Sequence, residues 1–544
     1  MVFMDETTKE ALDFQYILNK IEVQTPYGLM FKNRMRPFTI GEEEELKKQL
    51  DILDSYISYE KDLDIRRRFN DLLAHIKDLR NSIKRARDGF TLNEVELFEI
   101  KNFLFILIEL KTLFEEKKIP QFTETTIEPI DSLMEVLDPE DTKISTFYIY
   151  DEYSEELKSI RKEKGKIKKE IRQESSRIKE KVESQLGVKL RPDNSISVSK
   201  NRKDELESLQ ENENMVYVSE TYMMIKFAIK TTEKINSLER IEQILENKED
   251  REEQRIKEML TKEVAKRSKE IYKNMVSIGK LDLILAKSKM ALEINGTKPQ
   301  ILNNHHINIK NGRHPKVEEL LNERDLDFKA ISVDLKPGVA TITGANMGGK
   351  TISLKLIGLL AAMAQYGLYV PAERMTLGLS KYIKTSIGDM QSTDSGLSTF
   401  GGEIKVVSQA MERADEQGLI LIDELARGTN PQEGYAISKA IVTHLLNKAS
   451  ISLLTTHYDN VANIEDVVHL QVVGLSNLDF DKLKDEIKTS DGMDIINKHM
   501  DYRLRLVEKS KEIPKDALNI AKIMGLDDEI LQIAEDIIDN DERM

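Results

Sequence analysis

Cysteine and tryptophan are both absent from this 544-residue chain. Without cysteine there is no disulfide, no thiolate metal site and no cysteine nucleophile. Long apolar runs are missing too, since none reaches the roughly 18 residues of a membrane-spanning helix. Met1–Glu10 carries acidic residues with no apolar segment behind it, so no signal peptide is expected. Aromatic residues are few, at 6%, and charged residues many, at 33%, a balance that suits long solvated helices better than a compact sheet protein. The net charge of −15 argues against broad nonspecific nucleic-acid binding but leaves room for a local basic surface. With 40% apolar residues the chain can bury several cores, and its length suits three or four domains. The expectation is a soluble cytoplasmic protein with no membrane partner.

What is present begins with helix. Leu12, Phe14, Ile17, Leu18 and Ile21 share one helical face, which breaks at Thr25-Pro26-Tyr27-Gly28. Further helical patterns near 42–59, 60–86 and 92–117 predict an all-helical core domain over residues 1–140. Between Glu155 and Ser184, Leu157, Ile160, Ile167, Ile171, Ile178 and Val182 recur at the spacing of a narrow coiled-coil seam. A polar interruption at Gly187–Lys203, with the turn Arg191-Pro192-Asp193-Asn194, precedes a second helical pattern from about Thr221 to Ala291. Residues 141–300 therefore read as an arm that leaves the body and returns.

The outgoing helix carries Arg161, Lys162, Lys164, Lys166, Lys168, Lys169, Arg172, Arg177, Lys179 and Lys181. This is either a solvated face laced with Glu/Lys pairs or a surface for a phosphate backbone. No aromatic residues are interleaved for base stacking.

From Ile301 the pattern becomes α/β, with strand runs at Ala340–Thr343, Leu419–Ile422 and Ile451–Thr455; residues 301–480 form the expected nucleotide-binding domain. After about Phe480 the chain reads as helical to Met544, broken at Ile513-Pro514 and turning at Gly525-Leu526-Asp527.

The chemistry centres on Thr341–Thr351, T-I-T-G-A-N-M-G-G-K-T, which fits G-x-x-x-x-G-K-[ST]. Gly344, Gly348 and Gly349 can adopt backbone angles closed to other residues. The N–H groups across Gly344, Ala345, Asn346, Met347, Gly348 and Gly349 can thus turn toward the phosphates of ATP. Lys350 brings a point charge, and Thr351 a hydroxyl for Mg²⁺. Downstream, the apolar run Leu419–Ile422 ends in Asp423-Glu424. That order lets Asp423 hold Mg²⁺ through water while Glu424 polarises the water attacking the γ-phosphate. His457 follows the next strand and is placed to sense that phosphate. Between the two lies Gly396-Leu397-Ser398-Thr399-Phe400-Gly401-Gly402-Glu403, where Ser398 opens a helix. On these residues it is equally an ordinary N-cap or a signature motif facing the ATP of a partner subunit.

Together, Gly344–Lys350, Tyr366-Gly367-Leu368-Tyr369-Val370-Pro371-Ala372, Leu397–Phe400, Asp423-Glu424-Leu425-Ala426-Arg427-Gly428-Thr429 and Thr456-His457-Tyr458 closely resemble the ATPase domain of the MutS family. Asn311-Gly312-Arg313-His314-Pro315 resembles that domain's R-H-P opening, and Leu281-Asp282 with Ala286 the end of the family's returning lever helix. Tyr502, Ala521 and Gly525-Leu526 resemble its helical dimerisation segment. The resemblance implies an α + α/β fold: an all-helical core, a long coiled-coil lever/clamp arm, an ABC-type P-loop ATPase domain (301–480) and a C-terminal helical dimerisation segment (481–544). It also implies a homodimer, or a heterodimer with a related chain, in which Ser398 and Thr399 complete the partner's ATP site. Leu326 and Phe328 both stand where the family stacks an apolar side chain on adenine.

Departures from the family narrow the client. The chain begins at the core, without the mismatch-reading domain and its G-x-F-x-E wedge, and Phe114-Glu115-Glu116 and Phe122-Thr123-Glu124 lack the glycine. Ala345 replaces the usual proline. Ile387-Gly388-Asp389, Gln391-Ser392 and Asn430–Gly434 look closer to a second bacterial branch that acts on branched DNA or stalled ribosomes and ends in a nuclease-like domain, a domain not expected within these 544 residues. Two clients are expected in order. The first is a protein, through similarity to short MutS-like ATPases that reactivate cobalamin-dependent lysine aminomutase. The second is a DNA duplex or junction held by the basic arm.

Overall fold

The computed structural model describes residues 2–142, 146–344, 349–388, 399–425, 429–474, 501–507, 518, 520–521 and 524–541. Two units share the chain: residues 75–116 with 127–276, and residues 1–74 with 117–126 and 277–544.

In the first unit, two long helices, Glu155–Leu186 and Glu233–Lys266, pack along one another. Ser154 and Thr232 cap their N-termini through side-chain oxygens, and Gly187, with φ +63°, ends the outgoing helix in the left-handed conformation. Leu157, Ile160, Ile178 and Val182 of the expected seam are buried, facing a returning helix that buries Leu238, Leu245, Ile256 and Leu260. Between them lies a three-stranded sheet in the order β1-β3-β2, built from β1 (Ser195–Ser199), β2 (Met215–Glu220) and β3 (Met224–Ile229). A small core of Ile178, Val182, Leu190, Val198, Leu209, Met215, Phe227 and Ile235 fuses this sheet to the helix ends. The start of the pattern expected to be helical from Thr221 is thus β3, and the helix begins only at Glu233. The same unit buries Lys101, whose Nζ donates to Asp138 Oδ1 (3.0 Å), the Thr146 carbonyl (3.0 Å) and Tyr150 Oη (2.9 Å). The charge is tolerable there because every donor position is used.

The second unit carries two sheets. One has the order β4-β8-β5-β6, from β4 (Gln300–Leu302), β5 (Ile307–Gly312), β6 (Ile331–Leu335) and β8 (Arg374–Gly378). The other runs β13-β12-β7-β11-β10-β9. Its strands are β7 (Gly338–Thr343), β9 (Ile383–Ser386), β10 (Leu419–Ile422), β11 (Ile451–Thr455), β12 (Val468–Gly474) and β13 (Asp501–Leu506). All neighbours in that sheet are parallel except β13, which lies antiparallel on β12. Every residue of β7, β10 and β11 is buried, which is why these strands read as continuous apolar runs. The stretch after Phe480, expected to be helical, contains β13; its alternation of Tyr502, Leu504 and Leu506 with Asp501, Arg503 and Arg505 has the two-residue period of a strand. A helix, Asp528–Asp541, follows.

The helix Lys350–Gln365 touches both sheets, through β10 and β11 on one and β5 on the other. Gly358 is required at that crossing, because a Cβ there would lie 2.6 Å from both Leu12 and Leu421. Leu12 belongs to the N-terminal helices, which join this unit: Ile383 N donates to the Phe3 carbonyl, and Lys384 pairs with Asp5. Farther along, buried Asp282 accepts from Gln24 N, Thr25 N and Thr25 Oγ1 at 2.7–3.1 Å. The pattern expected to be one helix over 60–86 is two, Leu63–Ala74 and Arg80–Arg87.

Candidate nucleotide site and basic arm surface

Three parallel strands, β7, β10 and β11, end on the same edge of the sheet and deliver most of the candidate residues. β7 runs into Gly344, whose φ of +131° is open to glycine alone, and Gly349 (φ +84°) starts the helix that carries Lys350 and Thr351. Ala345, Asn346, Met347 and Gly348 lie outside the described residues, as does Ser398. Thr399 opens the helix Thr399–Met411.

At the end of β10, Asp423 accepts from two hydroxyls. Thr351 Oγ1 lies 2.6 Å from Oδ2 and Thr455 Oγ1 2.7 Å from Oδ1. Glu424 then adopts φ +48°, uncommon for a residue with a side chain and costing about 1–3 kcal/mol. The strain is held by Thr455, whose hydroxyl accepts from Glu424 N at 2.7 Å. The turned backbone sends the carboxylate to His457, with Oε1 2.9 Å from Nε2, and to within 3.7 Å of Lys350 Nζ. Lys350, 1% exposed, also donates to the Gly344 carbonyl at 2.8 Å and lies 3.3 Å from His457 Nδ1. Six predicted residues, Gly344, Lys350, Thr351, Asp423, Glu424 and His457, are thus brought into one network through Thr455.

The fit to magnesium rests on donor chemistry. Thr351 and Asp423 offer adjacent hard oxygens of the kind this cation takes, and no nitrogen or sulfur ligand competes for it in that pair. Lys350, held by a neutral carbonyl and a partly shared carboxylate, can exchange those partners for phosphate oxygens.

Sequence reasoning missed Thr455, which braces the Asp423 carboxylate and the Glu424 backbone; its position in Leu454-Thr455-Thr456-His457 was the available signal. The R-H-P stretch proves architectural. Arg313 holds Glu318 (2.8 Å) and the carbonyls of Ile294 and Asn295 (3.0 and 2.9 Å), while its own N–H donates to Pro371 O at 2.8 Å, tying this motif to Tyr366–Ala372. Burial pushes the His314 imidazole down to about 4. Phe328 lines a cavity of about 700 Å³ with Arg313, Lys329 and Arg503, and Leu326 does not border it.

On the arm, the ten basic residues divide. Arg161 bonds Glu249 (3.0 Å), Glu253 (2.7 Å) and Asp151 (2.6 Å), Lys164 bonds Glu249 (2.7 Å), and Lys168 approaches Glu242 at 3.5 Å. Burial works against the Arg161 charge, yet these carboxylates raise its pKa overall. In contrast, Lys162, Lys166, Lys169 and Arg172, joined by Lys158, are exposed and make no ion pair among the described residues. Their three- and four-residue steps place them on one helix face about 21 Å long.

Comparison with known proteins bears on this arrangement. Residues 340–540 match the family model described as MutS domain V. The chain is 27% identical to an endonuclease MutS2 of Caldanaerobacter subterraneus subsp. tengcongensis, across 98% of this chain and 64% of the relative. These matches support a MutS-family protein. A MutS2 endonuclease of Halothermothrix orenii is also 27% identical, over 84% of this chain and 58% of its own length. One from Shouchella clausii is 30% identical, over 72% and 50%. The chain therefore spans about half to two-thirds of these MutS2 relatives, and the activity of the whole relative does not carry over by length. Among the described residues, no helix is long and apolar enough to cross a membrane.

Proposed function

We propose that this chain is an ATP-hydrolysing engine of the MutS type whose client is DNA. The observation that carries the ATPase reading is the network joining Lys350 and Thr351 to Asp423, Glu424 and His457. In this reading Lys350 and the loop Gly344–Gly349 bind the β- and γ-phosphates of ATP. Glu424 orients the attacking water and takes its proton. His457, held by Glu424, contacts the γ-phosphate end and stabilises the charge that develops there. Bound Mg²⁺, on Thr351 and Asp423, would supply positive charge at the phosphates. Ser398 and Thr399 would reach the ATP of a second subunit, so that ATP favours closure of a homodimer or heterodimer and hydrolysis releases it.

For the client, the exposed stripe Lys158–Arg172 favours a phosphate backbone, and the relatives named as MutS2 endonucleases favour DNA over an aminomutase. The protein-client reading, put first on the sequence, gains no support from either. The test is paired. Glu424→Gln should retain ATP binding and lose turnover, and unchanged hydrolysis would remove Glu424 from its role. Duplex or junction DNA should bind with affinity that falls steeply with salt, and no detectable binding at roughly 50 mM salt would sink the DNA reading.

A further inference from the structure

One buried histidine stands behind the phosphate loop rather than in it. His469, on β12, is 8% exposed, and its Nε2 lies 2.8 Å from Thr343 Oγ1, itself on a residue 2% exposed. Thr343 is the last residue of β7. The next residue is Gly344, whose carbonyl holds Lys350 Nζ at 2.8 Å. Val472, also on β12, closes the other side: a Cβ built on Gly344 would sit 3.3 Å from the Val472 Cβ. Between them Gln471, paired in register with Thr343, takes two hydrogen bonds from Arg505 of β13 at 2.7 and 3.0 Å. The strand that grips residues 343 and 344 is therefore itself fastened from behind.

We infer that His469 is a positioning residue for nucleotide binding: by fixing Thr343 it sets the backbone of Gly344, and through that carbonyl the place of Lys350. The inference rests on the ATPase reading above. It also assigns the effect to one kinetic parameter. Among the described residues β12 meets β7 and the entry to the phosphate loop at Thr343 and Gly344, whereas Asp423, Glu424 and His457 stand at the ends of β10 and β11, with Asp423 and Glu424 tied to Thr351 and Thr455. Loss of the His469–Thr343 bond should loosen phosphate binding and leave the water-activating pair in place.

The experiment measures ATP affinity by titration with a fluorescent nucleotide, alongside steady-state hydrolysis, on the full chain. His469→Leu is expected to weaken ATP binding and raise KM about tenfold, the size of one lost buried hydrogen bond, with kcat changed less than about threefold. His469→Gln, which can still reach the hydroxyl, should stay within about threefold of wild type in both. Thr343→Val should reproduce the leucine variant, Thr343→Ser should not, and the double variant His469→Leu/Thr343→Val should be no worse than either single one. A folded His469→Leu protein with wild-type affinity, or additive losses in the double variant, would overturn the inference. Should His469→Leu fail to fold, the Thr343→Val and Thr343→Ser pair decides on the same criteria. A wild-type chain that binds no nucleotide would overturn the ATPase reading itself, whereas wild-type binding with an unaffected Thr343→Val variant would overturn this inference alone.

Discussion

Thr455 carries the sharpest consequence of the site geometry. Its one hydroxyl donates to Asp423 Oδ1 at 2.7 Å and accepts from Glu424 N at 2.7 Å. Replacing it with valine keeps the shape and the strand preference of a β-branched residue in β11, so the perturbation falls on those two bonds. A hydrogen bond to a charged acceptor contributes about 1.5–3 kcal/mol. The second bond opposes the relaxation of Glu424 from φ +48°, a conformation costing about 1–3 kcal/mol. Freed of it, the Glu424 backbone can return to an ordinary region and carry the carboxylate away from His457. If some 1.5–3 kcal/mol of that organisation is expressed in the transition state, kcat falls about ten- to a hundredfold, at 1.36 kcal/mol per tenfold. ATP affinity should change less than about fivefold, since Lys350 and the Gly344 carbonyl are untouched. Thr455→Ser restores the hydroxyl and should recover most of the rate. Steady-state kinetics with a separate nucleotide titration reads both quantities. A Thr455→Val enzyme with wild-type kcat, or a Thr455→Ser enzyme as impaired as the valine form, would refute the bracing argument.

Three further outcomes are expected. If Glu424 is the general base, as proposed, Glu424→Gln should lower kcat by about 10²–10⁴ with ATP still bound; single-turnover hydrolysis measures it. On the arm, Lys162→Ala/Lys166→Ala/Lys169→Ala should lower the salt slope of DNA binding by about 2.7, near 0.9 per lost phosphate contact, while Lys164→Ala/Lys168→Ala should leave it almost unchanged; equal effects would show that exposure does not select the contacts. Stability should also depend on Glu60, which is 5% exposed and whose carboxyl burial pushes up to about 7. Because burial holds the folded pKa above the unfolded one even with Arg66 4.0 Å away pulling it down, the favourable contribution is full below the ordinary carboxylate pKa and is lost as pH rises toward 7, on the order of 3 kcal/mol. Denaturant melts from pH 4.5 to 7.5 should show this slope in wild type and not in Glu60→Gln.

How much of this was legible depended on where each signal resides. β7, β10 and β11 could be read because both faces are buried, so their apolar runs are uninterrupted. β12 hid behind His469 and Gln471, buried polar residues that Thr343 and Arg505 satisfy from other strands. β13 hid because half of its residues are charged. The apolar spacing of Met223, Met224 and Phe227 suits a helix as well as β3, and pairing with distant β1 decides for the strand. In the site, Asp423 and His457 were visible as residue types at fixed places in a motif. The role of Thr455 was not, because it depends on β10 and β11 lying side by side with Ile422 opposite Leu454.

The arm shows the same dependence in its electrostatics. Counted along the sequence, eleven cations on the outgoing helix and a total of −15 pull toward opposite conclusions about DNA. The fold resolves the conflict locally. Carboxylates of the returning helix consume Arg161, Lys164 and Lys168; Arg161 and Lys164 are partly buried against the pair, while Lys168 stays half exposed beside its carboxylate. Among the cations that face water are five in a row, Lys158, Lys162, Lys166, Lys169 and Arg172, that make no ion pair among the described residues, with Glu163 and Glu170 also exposed along that stretch. At physiological ionic strength charges act over about 8 Å, so carboxylates farther away do not cancel that row. A backbone laid along the helix would neutralise at most about five phosphates, and a measured salt slope much above 4.5 would require contacts beyond this stripe. An acidic chain can therefore still hold DNA, provided it does so along this one face.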